Sequence, residues 1–310
     1  MNQTGSTALI DFTDCPVLKD SYDGANGCKL GIKYNSKVYM LKFAAHATRN
    51  SNLHYSNSCI SEYIGSHIFS LLGIPAQETL LGTYKVPTFE NVTVVACKDF
   101  TQDGTILQSF TSVKNRMIIS KPKKSATDLD DVLKCITQQP LVDLETVLCR
   151  FWDMFIIDAF IGNWDRHNGN WGFLYNRKTD TCSLALVFDC GSSLYPQEDE
   201  TLIQKILSDQ SEIDFRVYKV PLSAFTQESH KINYFEYISS LNNEGCNRAL
   251  ARIVPLINMK DIKQLINSVS GVTQLQKTFY IQMLEERKQK ILDYSLRKLR
   301  EPTAGRTSYF

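Results

Sequence analysis

The 310-residue chain carries 34 Lys and Arg against 33 Asp and Glu, so its formal net charge is +1 at pH 7. This balance excludes the strongly basic composition of a dedicated nucleic-acid-binding protein, and it also excludes an acidic disordered chain. With 43% hydrophobic and 11% aromatic residues, the composition is that of a globular protein large enough for two domains or for one domain with two lobes. We therefore expect no direct nucleic-acid binding.

The sequence also indicates the compartment. The nine cysteines form no CxxC pair and have no histidine partner at zinc-finger spacing, so we expect reduced thiols. The N-terminus lacks the pattern of a signal peptide, and the most apolar stretch, 147–161, is interrupted by Arg150, Asp153 and Asp158. We expect a cytoplasmic protein without a membrane span. Secretion that needs no N-terminal signal would leave no trace in the sequence.

The first hundred residues predict a sheet-rich region with one helix. Residues 58–72 place Ile60, Ile64 and Ile68 four positions apart and end at Gly73 and Pro75, a pattern typical of an amphipathic helix. The polar stretch 44–58 is predicted to be a loop. Four short runs with many β-branched and aromatic residues predict strands: LGIKYN, KVYMLKF, TLLGTYK and NVTVVACKDF.

After Phe100 the pattern becomes helical. Thr127 and Asp130 match a capping box at the start of a helix, residues 143–161 repeat apolar side chains at helical spacing, and a second box at Thr273 and Gln276 begins a helix that can run to about residue 299. The last ten residues are predicted to be a tail.

The densest functional signal is GNWDRHNGNWGFLYN at 162–176, followed by LVFDCGSSL at 186–194. Glycine and asparagine interrupt the preceding helix, and WGFLY and LALVFD are predicted to be two short strands. Asp165 and Asn170 are five residues apart, as are the catalytic Asp and metal-binding Asn of the kinase pattern HRDxxxxN, and Asp189 begins a DxG motif. One carboxylate and one carboxamide suffice for Mg²⁺ when ATP phosphates supply further oxygens, which leaves Asp165 to orient a hydroxyl.

The residues expected to bind the ATP phosphates lie earlier in the chain. Lys42 ends a predicted strand, and Glu62 lies 20 residues later on the isolated helix, the arrangement in which a Lys–Glu pair holds the lysine against ATP phosphates. The segment DGANGCK at 23–29 places Gly24 and Gly27 in a turn between strands, where backbone N–H groups can approach a phosphate. It matches neither a Walker A motif nor a complete GxGxxG.

These motifs resemble the HipA-like branch of the protein kinase-like fold, and more narrowly the compact CtkA-type bacterial serine/threonine kinases. The resemblance rests on SEY, VVACKDF, FWDMF, DRHNGNWGFL and FDCGS, and it extends from about residue 10 to about residue 295. It implies an α+β fold with two lobes: a β-rich N-terminal nucleotide-binding lobe with hinge (residues 1–100), a helical catalytic lobe (101–300) and a tail (301–310). The implied function is transfer of the γ-phosphate of ATP to Ser or Thr of a protein substrate.

The resemblance also implies a role for each matching residue. Asp165 would be the catalytic base or hydroxyl-positioning group, Asn170 and Asp189 the Mg²⁺ ligands, and Lys42 the ATP-phosphate lysine with Glu62 as its partner. HipA-like kinases can also autophosphorylate a serine just before the nucleotide loop, which implies Ser21. Nucleotide binding is implied for two backbone segments, the glycine turn (Gly24, Ala25, Asn26, Gly27) and the adenine hinge (Ala96, Cys97, Lys98, Asp99).

Two departures from the family pattern affect these expectations. Toxin-type HipA proteins carry an additional N-terminal subdomain before the nucleotide loop, which about 20 residues cannot form, so we do not expect an antitoxin partner. The kinase order His-Arg-Asp is replaced by Asp-Arg-His, and we expect His167 to be a structural hydrogen-bonding residue and Arg166 to anchor the loop by pairing with a carboxylate.

Three other functions remain open from the sequence alone. Phosphoinositide-type lipid kinases also use DRHxxN followed by DxG, although the length and the missing membrane-facing element argue against one. A nucleotide-binding regulator without turnover would need the same binding residues. A metal hydrolase using Asp165, His167 and Asp189 would lack the additional ligands usual for two metals.

Overall fold

The computed structural model describes residues 9–18, 29–46, 54–55, 57–86, 91–101, 104–117 and 127–301. The predicted autophosphorylation site Ser21, the glycine turn from Gly24 to Gly27, and all but the first residue of the predicted tail lie outside the described residues.

The described residues form the following elements. The strands are β1 Ile10–Asp11, β2 Lys29–Tyr34, β3 Lys37–Phe43, β4 Ala45–His46, β5 His54–Tyr55, β6 Thr79–Lys85, β7 Asn91–Lys98, β8 Thr105–Ser109, β9 Gly172–Asn176, β10 Thr181–Leu184, β11 Thr226–Gln227 and β12 His230–Lys231. The helices are α1 Ser58–Leu71, α2 Phe110–Met117, α3 Leu129–Gln138, α4 Leu144–Ile161, α5 Glu200–Ser208, α6 Gln210–Tyr218, α7 Tyr234–Ser240, α8 Glu244–Ile253, α9 Met259–Ser268, α10 Gln274–Arg287 and α11 Tyr294–Arg300, with a 3₁₀ turn at Val254–Leu256 and a π-helical segment at Lys288–Asp293.

The N-terminal part is built around a sheet with the strand order β1-β6-β7-β3-β2. β3 is antiparallel to both of its neighbours, and in its pairing with β7 Leu41 lies opposite Ala96 and Lys42 opposite Val95. Because side chains alternate between the faces of a strand, Leu41 enters a small core on one face while Lys42 points to the other face. The strand pattern of the sequence therefore already determines the direction of this lysine.

Helix α1 covers the face of the sheet that carries Lys42. The predicted helix is confirmed, and Ile60, Ile64 and Ile68 are buried, but the side of α1 that meets the sheet carries Cys59 and Ser66: the thiol of Cys59 donates to the carbonyl of Lys42, and the hydroxyl of Ser66 shares a hydrogen bond with that of Thr79 in β6. The helix ends before Gly73, whose φ of 75° is the left-handed conformation that glycine adopts readily. This packing brings the polar residue Glu62 into a buried position over the sheet.

The C-terminal part is mainly helical and is centred on α4. The side chain of Asp143 caps its N-terminus by accepting a hydrogen bond from the backbone N–H of Thr146, and the helix ends at Gly162, with φ of 68°. The predicted helix at 143–161 is confirmed, and its end delivers the chain directly into the loop that carries Asp165. The capping box at Thr273 and Gln276 is also confirmed, and helical structure continues from there through a π-helical segment to Arg300.

Three details of the sequence prediction were wrong. The N-cap of α3 is Asp128, not Thr127, because its carboxylate accepts from the N–H of Asp131. The predicted loop 44–58 contains the strand pair β4 and β5, with α1 starting at Ser58. The predicted strand LALVFD is replaced by β10, which ends at Leu184; beyond it only an isolated bridge pairs Val187 with Ala76. The α+β class itself is confirmed.

Candidate active site

Lys42 lies at the centre of the candidate site. Its ammonium contacts Glu62 Oε2 at 3.0 Å and Asp189 Oδ1 at 3.1 Å, which joins residues from β3, α1 and the segment after β10. Burial opposes the charged ammonium, but the charges of Asp189 and Glu62 outweigh it and hold the pKa of Lys42 well above its usual range. Lys42 is therefore a fixed positive charge, with 16% of its side chain exposed.

Glu62 is fixed by both of its carboxylate oxygens. Oε2 accepts from Lys42, and Oε1 accepts from the backbone N–H of Cys190 at 3.1 Å. Its side chain is only 2% exposed, so a buried charge is compensated by one cation and one backbone dipole. Gly191 lies directly against it, since a Cβ there would be 3.2 Å from Oε2. The glycine of the DxG motif thus allows α1 to approach this segment closely.

The carboxylate of Asp189 is partly exposed and contacts Lys42. Its φ is 60°, a left-handed conformation that aspartate tolerates better than most residues, and 42% of its side chain is exposed. Burial opposes its ionisation, but Lys42 and, more weakly, Arg166 and Lys29 outweigh this effect and lower its pKa. The carboxylate is therefore ionised and accessible, as a ligand for a divalent cation must be.

Asp165 and Asn170 are held within one compact loop. The backbone N–H of Asp165 donates to Asn163 Oδ1 at 3.1 Å, and its carbonyl accepts from Asn170 Nδ2 at 2.8 Å. The amide nitrogen of Asn170 is thus used within the loop, and its amide oxygen is the atom that a cation would take. Burial raises the pKa of Asp165 and the charge of Asp189 adds to the effect, against the weaker opposing charges of Arg166 and Lys231. A higher pKa makes this carboxylate a stronger proton acceptor.

Arg166 connects the loop to the rest of the site. Its guanidinium makes an ion pair with Asp158 of α4, with both side chains 1% exposed, and also donates to the backbone carbonyls of Asn170 and Phe188. It thereby ties the chain just before Asp189 to the loop of Asp165. The predicted pairing of Arg166 with a carboxylate is confirmed.

His167 has a structural hydrogen bond, as predicted. The backbone N–H of Gly169 donates to its Nδ1 at 2.9 Å, and its Nε2 is 3.9 Å from Asp165 Oδ1. The ring therefore closes the turn of the loop while its second nitrogen faces the carboxylate.

The residues predicted for the hinge lie at the end of β7. Ala96 and Cys97 pair with β3 on one side and β6 on the other, so they lie inside the sheet. The backbone of Lys98 donates to the carbonyl of Glu78 and accepts from Gln77 Nε2, both at 2.9 Å. Asp99, whose N–H donates to Val38 O, is the point at which the chain leaves the sheet. An adenine contact at 96–99 remains a prediction, and its geometry would be set by Gln77.

Three residues near the site had no signal in the sequence motifs. Gln77 holds the end of β7, as described above. Lys29, the first described residue after the glycine turn, acts on the carboxylate of Asp189, and Lys231 of β12 acts on that of Asp165. Lys29 follows the glycine turn directly, which could have marked it, but nothing near Lys231 or Gln77 in the chain points to the site.

Comparisons with known proteins find similar sequences and similar folds. No protein-family profile matches the chain. The curated serine/threonine-protein kinase CtkA of Helicobacter pylori (strain J99) is 43% identical over 286 residues, which cover 92% of this chain and 86% of that protein. A crystal structure of a proinflammatory H. pylori kinase CtkA matches with a TM-score of 0.87 and 42% identity, over 96% of this chain and 100% of that one.

A more distant match is HipA of Shewanella oneidensis, solved with HipB and operator DNA. Its TM-score is 0.57 at 13% identity, covering 93% of this chain and 68% of that one, so it is similar in fold. The predicted bilobed, kinase-like architecture is confirmed by these similarities.

Proposed function

The chain belongs to the family of CtkA-type serine/threonine-protein kinases, as its motifs predict, and from this premise we propose that it transfers the γ-phosphate of ATP to serine or threonine hydroxyls of proteins. The observation that carries the proposal is the contact of Lys42 with both Glu62 and Asp189, at 3.0 and 3.1 Å. In kinases the pair of this lysine and this glutamate positions the nucleotide phosphates, and the neighbouring DxG aspartate holds Mg²⁺.

The donor set fits a magnesium ion bound together with ATP. The ionised Asp189 and the amide oxygen of Asn170 are hard oxygen ligands, and among the described residues no group of three or more His, Cys, Asp or Glu side chains could hold a metal by itself. Bound Mg²⁺ would neutralise phosphate charge. Lys42 would bind the phosphates, and the predicted hinge at 96–99 would orient the adenine through its last residues, where the chain leaves the sheet at Asp99.

Asp165 would act on the acceptor hydroxyl. With 41% of its side chain exposed and a raised pKa, it can accept a hydrogen bond from a serine or threonine hydroxyl, orient its oxygen toward the γ-phosphate and take up the proton. Arg166 keeps this loop in place relative to Asp189. Catalysis is thus mainly positioning and charge stabilisation.

The lobe division is part of the proposal: a nucleotide-binding lobe with its hinge up to residue 100, a catalytic lobe from 101 to 300, and a tail. The change from sheet to helices between β7 and α2 supports it. Within the described residues, no helix is long and apolar enough to cross a membrane.

The test is phosphotransfer with Mg–ATP by wild type, Asp165→Asn and Asp189→Asn. Asp165→Asn is expected to abolish transfer, including autophosphorylation, while nucleotide affinity stays within about twofold. Asp189→Asn is expected to weaken Mg–ATP binding as well, because it removes the charged ligand. Full transfer by Asp165→Asn would refute the assignment.

Autophosphorylation at Ser21 belongs to the same proposal. Intact-mass measurements after incubation with ATP are expected to show less phosphate on Ser21→Ala than on wild type. Equal phosphate on both proteins would remove Ser21 as the site.

A further inference from the structure

An open cavity of about 350 Å³ lies beside the loop that carries Asp165. Its lining includes Trp164, Tyr195, Val220, Pro221, Leu222 and Lys231. Trp164 directly precedes Asp165, so the cavity adjoins the loop that would position the acceptor hydroxyl. The mechanism described above uses none of these side chains.

The walls of the cavity are fixed by hydrogen bonds. The hydroxyl of Tyr195 donates to the carbonyl of Arg216 at 2.8 Å and accepts from Arg287 at 3.2 Å. The backbone N–H of Val220 donates to the carbonyl of Phe215 at 3.1 Å. A wall held in this way needs little ordering when a ligand binds, which favours binding.

The cavity is lined by one negative charge that is compensated and by one positive charge that is not. Glu198 also lines it, but its carboxylate accepts from Arg216 at 3.1 and 3.2 Å, and this ion pair is largely buried, so its negative charge is compensated. Lys231 is exposed, and no carboxylate of the described residues lies within ion-pair distance of it. Lys231 lines the same cavity as Trp164, the residue before Asp165, and its positive charge lowers the pKa of Asp165.

We propose that this cavity binds the protein substrate next to its phosphoacceptor: one large apolar side chain fills the space between Trp164, Pro221 and Leu222, and an acidic residue pairs with Lys231. The inference rests on the proposed kinase function and adds the chemistry of its substrate. Proteins commonly recognise an extended peptide through a pocket that takes up one of the peptide's side chains. The cavity lies at the small end of ligand pockets, enough for a side chain and its backbone.

The experiment measures phosphorylation of a peptide library with a fixed serine or threonine and one further fixed residue at each neighbouring position. Wild type is expected to select a large apolar residue at one position by about tenfold in kcat/KM. It is expected to select Asp or Glu at another position by about two- to fivefold.

Two variants separate the two contacts. Lys231→Glu is expected to invert the charge preference, so that Lys or Arg is selected at the same position, while apolar selection remains. Leu222→Asp is expected to lose apolar selection and keep the acidic preference. The matched control is Lys260→Glu in the first turn of α9, where an exposed carboxylate is favourable; its selectivity should equal that of wild type.

The outcomes distinguish this inference from the kinase function. Selectivity that Lys231→Glu and Leu222→Asp leave unchanged, in variants that unfold at the wild-type temperature, overturns the inference. An equal loss of rate for every peptide with Lys231→Glu, with the charge preference unchanged, also overturns it, since the charge of Lys231 would then act on Asp165 and not on the peptide. A wild type that autophosphorylates but modifies no peptide excludes a peptide segment as the occupant. Failure of the kinase function itself would instead appear as equal activity of wild type and Asp165→Asn.

Discussion

The ion pair between Arg166 and Asp158 predicts a large effect of a single substitution. In Arg166→Met the guanidinium is lost, while the Asp158 carboxylate remains fully buried and keeps only the hydrogen bond from Asn163 Nδ2 at 2.9 Å. Removing one partner of a buried pair typically costs about 3–5 kcal/mol, because the other charge is left uncompensated. We expect a loss of this size in the free energy of unfolding.

The corresponding change in melting temperature follows from the size of the protein. An unfolding entropy of about 2.1 cal/mol/K per residue gives roughly 0.65 kcal/mol/K for this chain, so the expected decrease is about 5–8 °C. Burial already raises the pKa of Asp158, and loss of Arg166 would raise it further. A carboxyl group with a raised folded pKa destabilises the protein as pH rises above its unfolded pKa, so the decrease should be smaller at pH 5 than at pH 8.

Thermal unfolding of three proteins tests this reasoning. The double variant Asp158→Asn with Arg166→Met removes both charges and keeps an oxygen for Asn163, so it should recover about 2 kcal/mol relative to Arg166→Met. The control Arg248→Met removes an arginine that is 55% exposed and pairs with exposed glutamates, and it should cost less than about 1 kcal/mol. If Arg166→Met melts like Arg248→Met at pH 8, or if the double variant is less stable than the single one, the buried pair does not have the assigned role.

Three other predictions concern the site. Glu62→Gln removes the charge that holds Lys42 and should lower kcat/KM for ATP by about 10- to 100-fold in steady-state assays, since hydrogen bonds to charged groups contribute about 1.5–3 kcal/mol; an unchanged value would contradict the role of Glu62. The rate of phosphotransfer should fall as pH drops through the raised pKa of Asp165, and Lys231→Gln, which removes a positive charge that lowers this pKa, should move the acidic limb of the pH–rate profile to higher pH. Gly65→Ala places a Cβ 2.8 Å from that of Cys190 and should cost about 1–3 kcal/mol in thermal unfolding, whereas a wild-type melting temperature would show that α1 can move away.

The sequence could predict those parts of the site that follow from a motif of fixed spacing or from the periodicity of a strand. Lys42 and Glu62 were identified from their order and separation along the chain, and strand alternation sets the direction in which Lys42 points. The burial of Glu62 could not be predicted from helical spacing, because it lies on the side of α1 opposite the isoleucines. Asp165, Asn170 and Asp189 follow a motif with fixed spacing. The structure brings Lys42, Glu62 and Asp189 into direct contact, although 147 residues separate Lys42 from Asp189.

Other features could not be predicted because they depend on long-range packing. Arg166 was expected to pair with a carboxylate. Its partner could not be named, because the pairing with Asp158 depends on how the loop is positioned relative to α4. Lys231 reaches the site through a short hairpin of two-residue strands, too short to leave a periodic pattern. The strand expected at LALVFD also depends on long-range packing: within this run Ala185 and Val187 are buried, and among the described residues Val187 makes one isolated bridge, to Ala76.

The segment between Asp189 and α5 is short and fastened along its length. Cys190 donates to Glu62, Leu194 donates to the carbonyl of Ile161, and the carbonyl of Pro196 accepts from the N–H of Asn57. In kinases that are activated by phosphorylation, a long flexible segment at this position refolds around the phosphorylated residue. Any inactive state of this protein that displaced these ten residues would first have to break anchors to both α1 and α4, so turning the enzyme off in that way would be energetically expensive.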